Sequence, residues 1–553
     1  MKKYLCVTLF LMSALLLSTS CKDGSTSGGK KGPLPSDKAD GPVLNISLES
    51  TVDTLDAQVA VYATSFELIG DLMDGLKQMG DDGVIKNAVC KEQSVSDDGL
   101  IYTFKLRNDV YWSNGDPVTA HDFVYGWQRA VDPATQSEYA FMISEIAQIK
   151  NGLAIQAGSM SKDQLGVRAI DDYTFQVELV VPVSYFDQLL YFCTFYPANQ
   201  KFIEAMGDKY GTSPDTYIGN GAFVLKTYKS EAQSIDIIKN TAYYDADRVK
   251  VGGIHYEVSS SAADTLKKYQ SGQLDLIELA AEEIPNYQNS PEFRAVDTGF
   301  MYFIPFNVHN KYLKNKNLRL AITNSFDRQK FVDTIADGSK PAWNAVPAGY
   351  ATDRNGKDFS SSGPYFPEYC SYNPQKAREY FELAKKELGT DKMTIEFLSV
   401  DSASQKLYTE EICSQITSNL PGLNIKYRFV DRKERRKIMA QHDFDIGLTN
   451  WGPDYADPMT YLAMWMTGND NNNGDYSNPV YDAILAECTD GELCTKLDER
   501  WKALKEAEKI IMEEAVIMPV FTQCNPNLIS SRVKGISFHA VGINKIYKSA
   551  TKN

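Results

Sequence analysis

Between Asn373 and Val430 the chain spells out a β-α-β unit, and that unit narrows the fold more than any other segment. Asn373 is a helix cap and Pro374 suits the first helical position, where its missing N–H costs nothing. Ala377, Tyr380, Phe381, Ala384 and Leu388 then fall on one helical face, and Gly389 stands where a helix ends. An apolar strand at Thr394–Leu398, a helical stretch near Ser404–Asn419 and an alternating strand at Asn424–Val430 follow. Such a run predicts parallel strands joined by a right-handed crossover, and so an α/β fold. A second long helix is predicted from about Leu497 to Glu514, with Leu497, Trp501, Leu504, Ala507 and Ile511 inward. It leads into an apolar strand at Val516–Phe521. No internal repeat and no heptad run is present.

At 553 residues the chain exceeds one core and should divide into two or three domains. Its N-terminus is a targeting signal of residues 1–20. Lys2 and Lys3 precede an apolar run from Tyr4 to Leu17, which is too short to span a bilayer, and Ser18-Thr19-Ser20 lead to Cys21. The ending LSTSC resembles a bacterial lipoprotein signal, which implies lipidation at Cys21. Ser18 departs from that pattern, because the usual leucine stands one place earlier as Leu17. Residues 21–42 form the lipidated N-terminus and a flexible tether, rich in Gly, Ser, Lys, Asp and Pro. Folded structure should begin at Val43–Ser50, which alternates like a strand.

Net charge is −15, and loss of Lys2 and Lys3 would take it to about −17. No basic stripe exists to displace counterions from phosphates, so nucleic acid is disfavoured as a partner, as is adhesion to anionic lipid. Of nine cysteines, Cys6 and Cys21 belong to the leader, and the other seven are an odd number. Export permits disulfides, and Cys488 and Cys494 are the favoured pair because the loop between them can close locally. No CxxC and no Cys/His cluster has zinc spacing, and His121, His255, His309, His442 and His539 are scattered. Neither metal nor other cofactor is expected. GxSxG, HExxH, P-loop and GxGxxG motifs are all missing, which argues against an enzyme.

Residues Asp97–Pro133, DDGLIYTFKLRNDVYWSNGDPVTAHDFVYGWQRAVDP, read as an alternating strand at Leu100–Leu106, a polar turn at Ser113–Asp116 and a helix. Thr119 caps that helix, and Asp122 favours its N-terminal amides. The order of residues across this block resembles the signature of the family-5 extracellular solute-binding proteins, the peptide-binding receptors of bacterial ABC importers. Further likenesses are Leu55-Asp56 through Gly75-Leu76, Asn220–Phe223, YQSGQLDLI at Tyr269–Ile277, NLRLAITNSFDR at Asn317–Arg328 and WGPDYADP at Trp451–Pro458. The resemblance implies a two-lobed, Venus-flytrap periplasmic-binding-protein fold of type II, cluster C, with three domains. Domain I would be 43–73, 199–305 and 522–553, domain II 74–198 and domain III 306–521. The lobes would be joined by two crossover strands and close over the ligand.

It also implies a lipid-anchored, exported receptor for oligopeptides, monomeric, held to the membrane only by its lipid. Such a receptor delivers its ligand to permease subunits driven by cytoplasmic ATPases. Asp454 stands where the family's oligopeptide receptors hold the ligand's α-ammonium, although an aspartate in a Pro-flanked turn is ordinarily a turn former. Trp451 is either a pocket wall or core packing, and Tyr455 belongs to the same motif. Tyr139 matches a cleft tyrosine that contacts the ligand backbone. Val61, Tyr62 and Ala63 match a segment whose main chain pairs with the peptide. Gln405 stands where some relatives place a histidine, Leu448 where some place an arginine, and Glu434 where an aromatic wall is usual. The run Arg432-Lys433-Arg435-Arg436 is read mainly as a solvated helix face and secondarily as a substitute carboxylate anchor. A non-peptide cargo (nickel chelate, haem) or a signalling peptide would fit the same fold. An adhesin or chaperone-like lipoprotein is the reading from another class.

Overall fold

The computed structural model describes residues 31–553 apart from 39, 49, 230–232, 260, 354 and 454. The signal segment, Cys21 and Asp454 lie outside the described residues. Among the described residues no helix is long and apolar enough to cross a membrane.

Three sheets carry the architecture. In the largest, of nine strands, Val43–Leu48 runs parallel to Gly253–Val258 and to Leu276–Glu278. The alternation of VLNISL puts Leu44, Ile46 and Leu48 into the core while Asn45 and Ser47 are less buried. The other half of the sheet is a pair of long antiparallel strands, Phe293–Pro305 and Ile517–Ile529. These two tie separate cores together. Leu528 packs with Leu266 and Tyr269, whereas Ile304, Met518, Val520 and Phe521 pack with the β-α-β unit. Their ladder breaks between Asp297 and Met301, where Gly299 has φ +76°, a bulge that bends the pair.

The β-α-β unit forms as its sequence dictates. Met393–Val400 lies between Leu423–Val430 and Ile446–Gly447 and is parallel to both. The preceding helix, Pro374–Leu388, is capped by the Asn373 side chain, which accepts from the Lys376 amide, and ends on Gly389 at φ +67°. The block 97–133 likewise folds as read. Ile101–Leu106 enters a four-stranded antiparallel sheet, and helix Ala120–Val131 packs Phe123 and Trp127 on Phe175 at ring distances of 5.6 and 5.0 Å. The Asp122 carboxylate accepts from the Thr119 amide at 2.7 Å and its hydroxyl at 2.9 Å.

The other recurring strings hold segments together. Asn220 exchanges two 3.0 Å hydrogen bonds with the backbone of Asp74. Gly221 is obligatory there, because a Cβ would stand 2.5 Å from the Leu72 carbonyl carbon. Asp275 of YQSGQLDLI accepts from the Asn45 amide at 2.9 Å and from Lys552 at 2.6 Å, clasping both ends of the folded chain. Arg319 and Arg328 of NLRLAITNSFDR are buried and donate to main-chain carbonyls, Arg319 to Ala515 at 3.0 Å and Arg328 to Pro519 at 2.7 Å.

Four expectations are corrected. The strand predicted at Val516–Phe521 continues to Ile529, because Asn525 and Asn527, polar as they are, sit in a ladder opposite Val296 and Arg294. Leu497 is 43% exposed, at the first position of helix Leu497–Glu513, while Leu504, Ala507 and Ile511 are fully buried. Residues 31–36 lie on the body: the Gly32 amide donates to the Gly115 carbonyl and the Ser36 amide to Thr241 Oγ1, both at 2.8 Å. The Cys488–Cys494 bridge is not formed. Cys488 Sγ is directed at the Arg500 carbonyl and Cys494 Sγ at the Gly491 carbonyl, and all seven described cysteines are free.

Candidate ligand-binding site

A cavity of about 1040 Å³ opens beside the strand Thr449–Trp451. That strand is the outermost of the nine-stranded sheet, paired on one side with Met301–Phe303. Among the described residues no strand pairs with its other side, so it is an edge of the sheet. The buried Tyr461 hydroxyl fixes it, donating at 3.1 Å to the Trp451 carbonyl and also to the Gly299 carbonyl at the bulge.

Of the residues expected to bind, the cavity brings two together, Trp451 and Gln405. Gln405 stands in the first turn of helix Ala403–Asn419, which is capped by Ser402. Trp451 is half-buried, and its Nε1 has no hydrogen-bond partner among the described residues. Tyr455 is buried and stacks on Tyr185 at 4.5 Å. Burial pushes the Tyr185 hydroxyl up to about 12. The segment between Trp451 and Pro458 is anchored by Asp457, which is buried against Arg500.

The remaining expected residues form a second group that does not line this cavity. Tyr62 is 59% exposed and precedes helix Ala63–Leu72, with Val61 beside it and Ala63 opening the helix. Tyr139 is half-buried and packs against that helix, its ring 5.6 Å from that of Phe66 and 5.1 Å from that of Phe192. The chain just before Val61 is held from the 97–133 block. Arg129 grips Asp56 with two 2.6 Å contacts, and Gln58 Nε2 donates to the Tyr196 carbonyl at 3.1 Å. The helix that carries the family signature thus sets the position of the exposed Val61–Ala63 segment.

The basic run divides. Lys433, Glu434 and Lys437 are exposed as expected of a solvated face. Arg432, Arg435 and Arg436 instead line the cavity, and Arg435 is only 8% exposed. Their spacing explains this, since residues three and four apart share one side of helix Arg432–Ala440. Arg435 Nη1 donates to the carbonyl of Leu448, a residue wholly in the core. Burial, and then repulsion from Arg436 and Arg432, lowers the Arg435 pKa. The helical period of three arginines was the available signal for this wall.

Among the described residues no group of three or more His, Cys, Asp or Glu stands where it would hold a metal ion. His309 and His442 do approach to 5.8 Å between rings, and His309 Nε2 contacts Asp475 at 2.6 Å.

The family description "bacterial extracellular solute-binding proteins, family 5 Middle" matches residues 84–473. A dipeptide-binding protein of Lactococcus lactis is 33% identical over 524 residues, covering 92% of this chain and 94% of its own. The peptide-bound OppA of Listeria monocytogenes is 33% identical, with a TM-score of 0.67 over 93% of this chain and 99% of that one. The unliganded open form of the murein tripeptide binding protein MppA is 26% identical, yet has a TM-score of 0.83 over 94% and 99%. The chain belongs to the family-5 bacterial extracellular solute-binding proteins.

Proposed function

We propose that the protein is a lipid-anchored extracytoplasmic receptor that takes oligopeptides into a cleft between its lobes and presents them to an ABC-type permease. It is a binding protein, not an enzyme. The observation that carries the reading is the free edge of Thr449–Trp451 along a cavity of about 1040 Å³. That volume is at the upper end of the ~300–1,000 Å³ usual for small-ligand sites. An extended peptide can add to such an edge as one more strand, using the amides that every peptide has. The division assigned to the two lobes is 43–73, 199–305 and 522–553 with 74–198 on one side and 306–521 on the other. Closure would bring the Val61–Ala63 and Tyr139 group toward Trp451 and Gln405. Asp454 would take the ligand's α-ammonium, and Cys21 would carry the lipid. The relatives' names support a peptide cargo, being those of dipeptide- and oligopeptide-binding proteins.

Calorimetry with free and N-acetylated peptides tests the reading. Asp454→Ala should weaken free-amino peptides far more than acetylated ones, and equal loss for both would end the anchor assignment. Mass spectrometry of ligand co-purified from the native host should find peptides. Cys21→Ser should release the protein from membranes.

A further inference from the structure

We infer that Lys31–Ser36 is a docked strap that orients the receptor on the membrane, with the turn Tyr111–Pro117 facing the lipid surface. This rests on the lipid-anchor reading above and names the face of the body that the bilayer meets. The Gly32 amide donates to the Gly115 carbonyl at 2.8 Å and so fixes the end of the strap nearest the lipid. The Ser36 amide donates to Thr241 Oγ1 and the Gly252 amide to the Pro42 carbonyl, each at 2.8 Å. Gly32 lies against the Tyr111 ring, where a Cβ would stand 2.2 Å from Cδ1, so only glycine fits. Pro33 and Pro35 fix φ on both sides of Leu34, which reduces the entropy lost on docking. Lys31 Nζ reaches the Asn114 carbonyl at 3.3 Å and Asp116 at 3.7 Å, an exposed pair that adds little.

The turn beneath the strap is a firm base. Trp112 is buried in the core, its amide donates to the Asp116 carbonyl, and the Ser113 amide donates to the Gly219 carbonyl, both at 2.8 Å. Chain length then decides how freely the body can tumble. Ten peptide steps separate Cys21 from Lys31, about 35 Å at full stretch and about 17 Å on average for a Gly/Ser-rich coil. A tether free as far as Val43 would have 22 steps, about 75 Å at full stretch and about 26 Å on average. A body of this chain length is roughly 60 Å across. The longer leash would let any face swing to the bilayer, whereas the shorter one keeps the far side away. With a net charge of −15, no broad electrostatic pull toward anionic lipid competes with the strap.

Fluorescence energy transfer tests this on the lipidated full chain, in phosphatidylethanolamine–phosphatidylglycerol vesicles that carry a headgroup acceptor dye. Donor dyes are attached at Asn108→Cys, exposed three residues before the turn, or at Lys386→Cys, exposed on helix Pro374–Leu388. That helix packs in a core separate from the one that holds Trp112. The seven described native thiols are buried and stay unlabelled. Transfer from position 108 should exceed that from position 386 roughly three-fold, as a leash of about 17 Å requires. Gly32→Leu undocks the strap, and about twelve Gly/Ser residues inserted after Gly29 restore the longer reach with the dock intact. Each change should bring the ratio close to one. Equal transfer from both positions in wild-type strap, with the protein floating with the vesicles, would overturn the inference and leave the lipid anchor standing. A ratio that either change leaves unaltered would also overturn it. A protein that fails to float with the vesicles would overturn both.

Discussion

Arg500 and Asp457 form a closed two-bond pair in the core, Nη1 to Oδ2 at 2.7 Å and Nη2 to Oδ1 at 2.9 Å, six residues beyond Trp451. Both side chains are almost wholly buried, and Arg500 also donates to the Cys488 carbonyl at 2.9 Å. The pair fastens the WGPDYADP segment to helix Leu497–Glu513. Replacing Asp457 with Ala strands a buried guanidinium, which should cost roughly 3–5 kcal/mol. Urea unfolding measures it, and a loss under 1 kcal/mol would contradict the pairing.

Gly299 is the hinge point of the bulge that separates the two halves of the long strands. At φ +76° a side chain costs about 1–2 kcal/mol, and a Cβ would also stand 2.8 Å from Pro453 Cγ. Gly299→Ala should therefore lower stability by about that much. It should also weaken peptide binding, since Pro453 directly follows Trp451 and Gly452, which line the cavity. Unchanged stability and unchanged affinity together would remove the bulge from the account.

His539 is half-buried, with Nε2 itself buried and unpaired among the described residues, and desolvation lowers its pKa to about 4 despite the nearby Asp81 and Asp82. The unfolded chain protonates this ring near pH 6.5, while the folded one resists until about pH 4. Its contribution is thus complete above pH 6.5, is lost as pH falls through that interval, and amounts to at most about 3 kcal/mol. Stability of the wild type and His539→Gln, compared at pH 7 and pH 4.5, should differ in slope. The variant should lose less. Parallel slopes would show that the ring titrates normally.

All seven described cysteines are buried thiols, and burial raises those of Cys90, Cys370 and Cys488 to about 11. A thiol reagent at neutral pH should react negligibly with the native protein. In denaturant a chain starting at residue 31 should titrate seven thiols. A titre two lower would restore the Cys488–Cys494 bridge.

Signals that act over one or two turns were legible from residues alone. Asn373-Pro374 and Gly389 bounded a helix because caps and left-handed glycine are decided locally. Thr119 and Asp122 likewise declared the signature helix. The full length of Ile517–Ile529 was not legible, because Asn525 and Asn527 are strand residues only by virtue of the partner they meet. The same holds for the site. Trp451 and Gln405 were found through motif position, 46 residues apart in the chain, and only the fold places both on one cavity. Arg435 was hidden inside a charged run whose bland reading fits its neighbours but not itself, since burial of one residue in such a run depends on what the helix packs against. Asp56 and Arg129, far apart in sequence, disclose nothing of their grip until the chain is folded.

The unmated margin of Thr449–Trp451 has a cost when the cleft is empty. An incomplete sheet invites any stray extended chain, including a neighbouring copy of the same molecule. Crowded, unfed receptors should therefore be the ones that clump, and a captured guest, by serving as the missing strand, should keep the population dispersed.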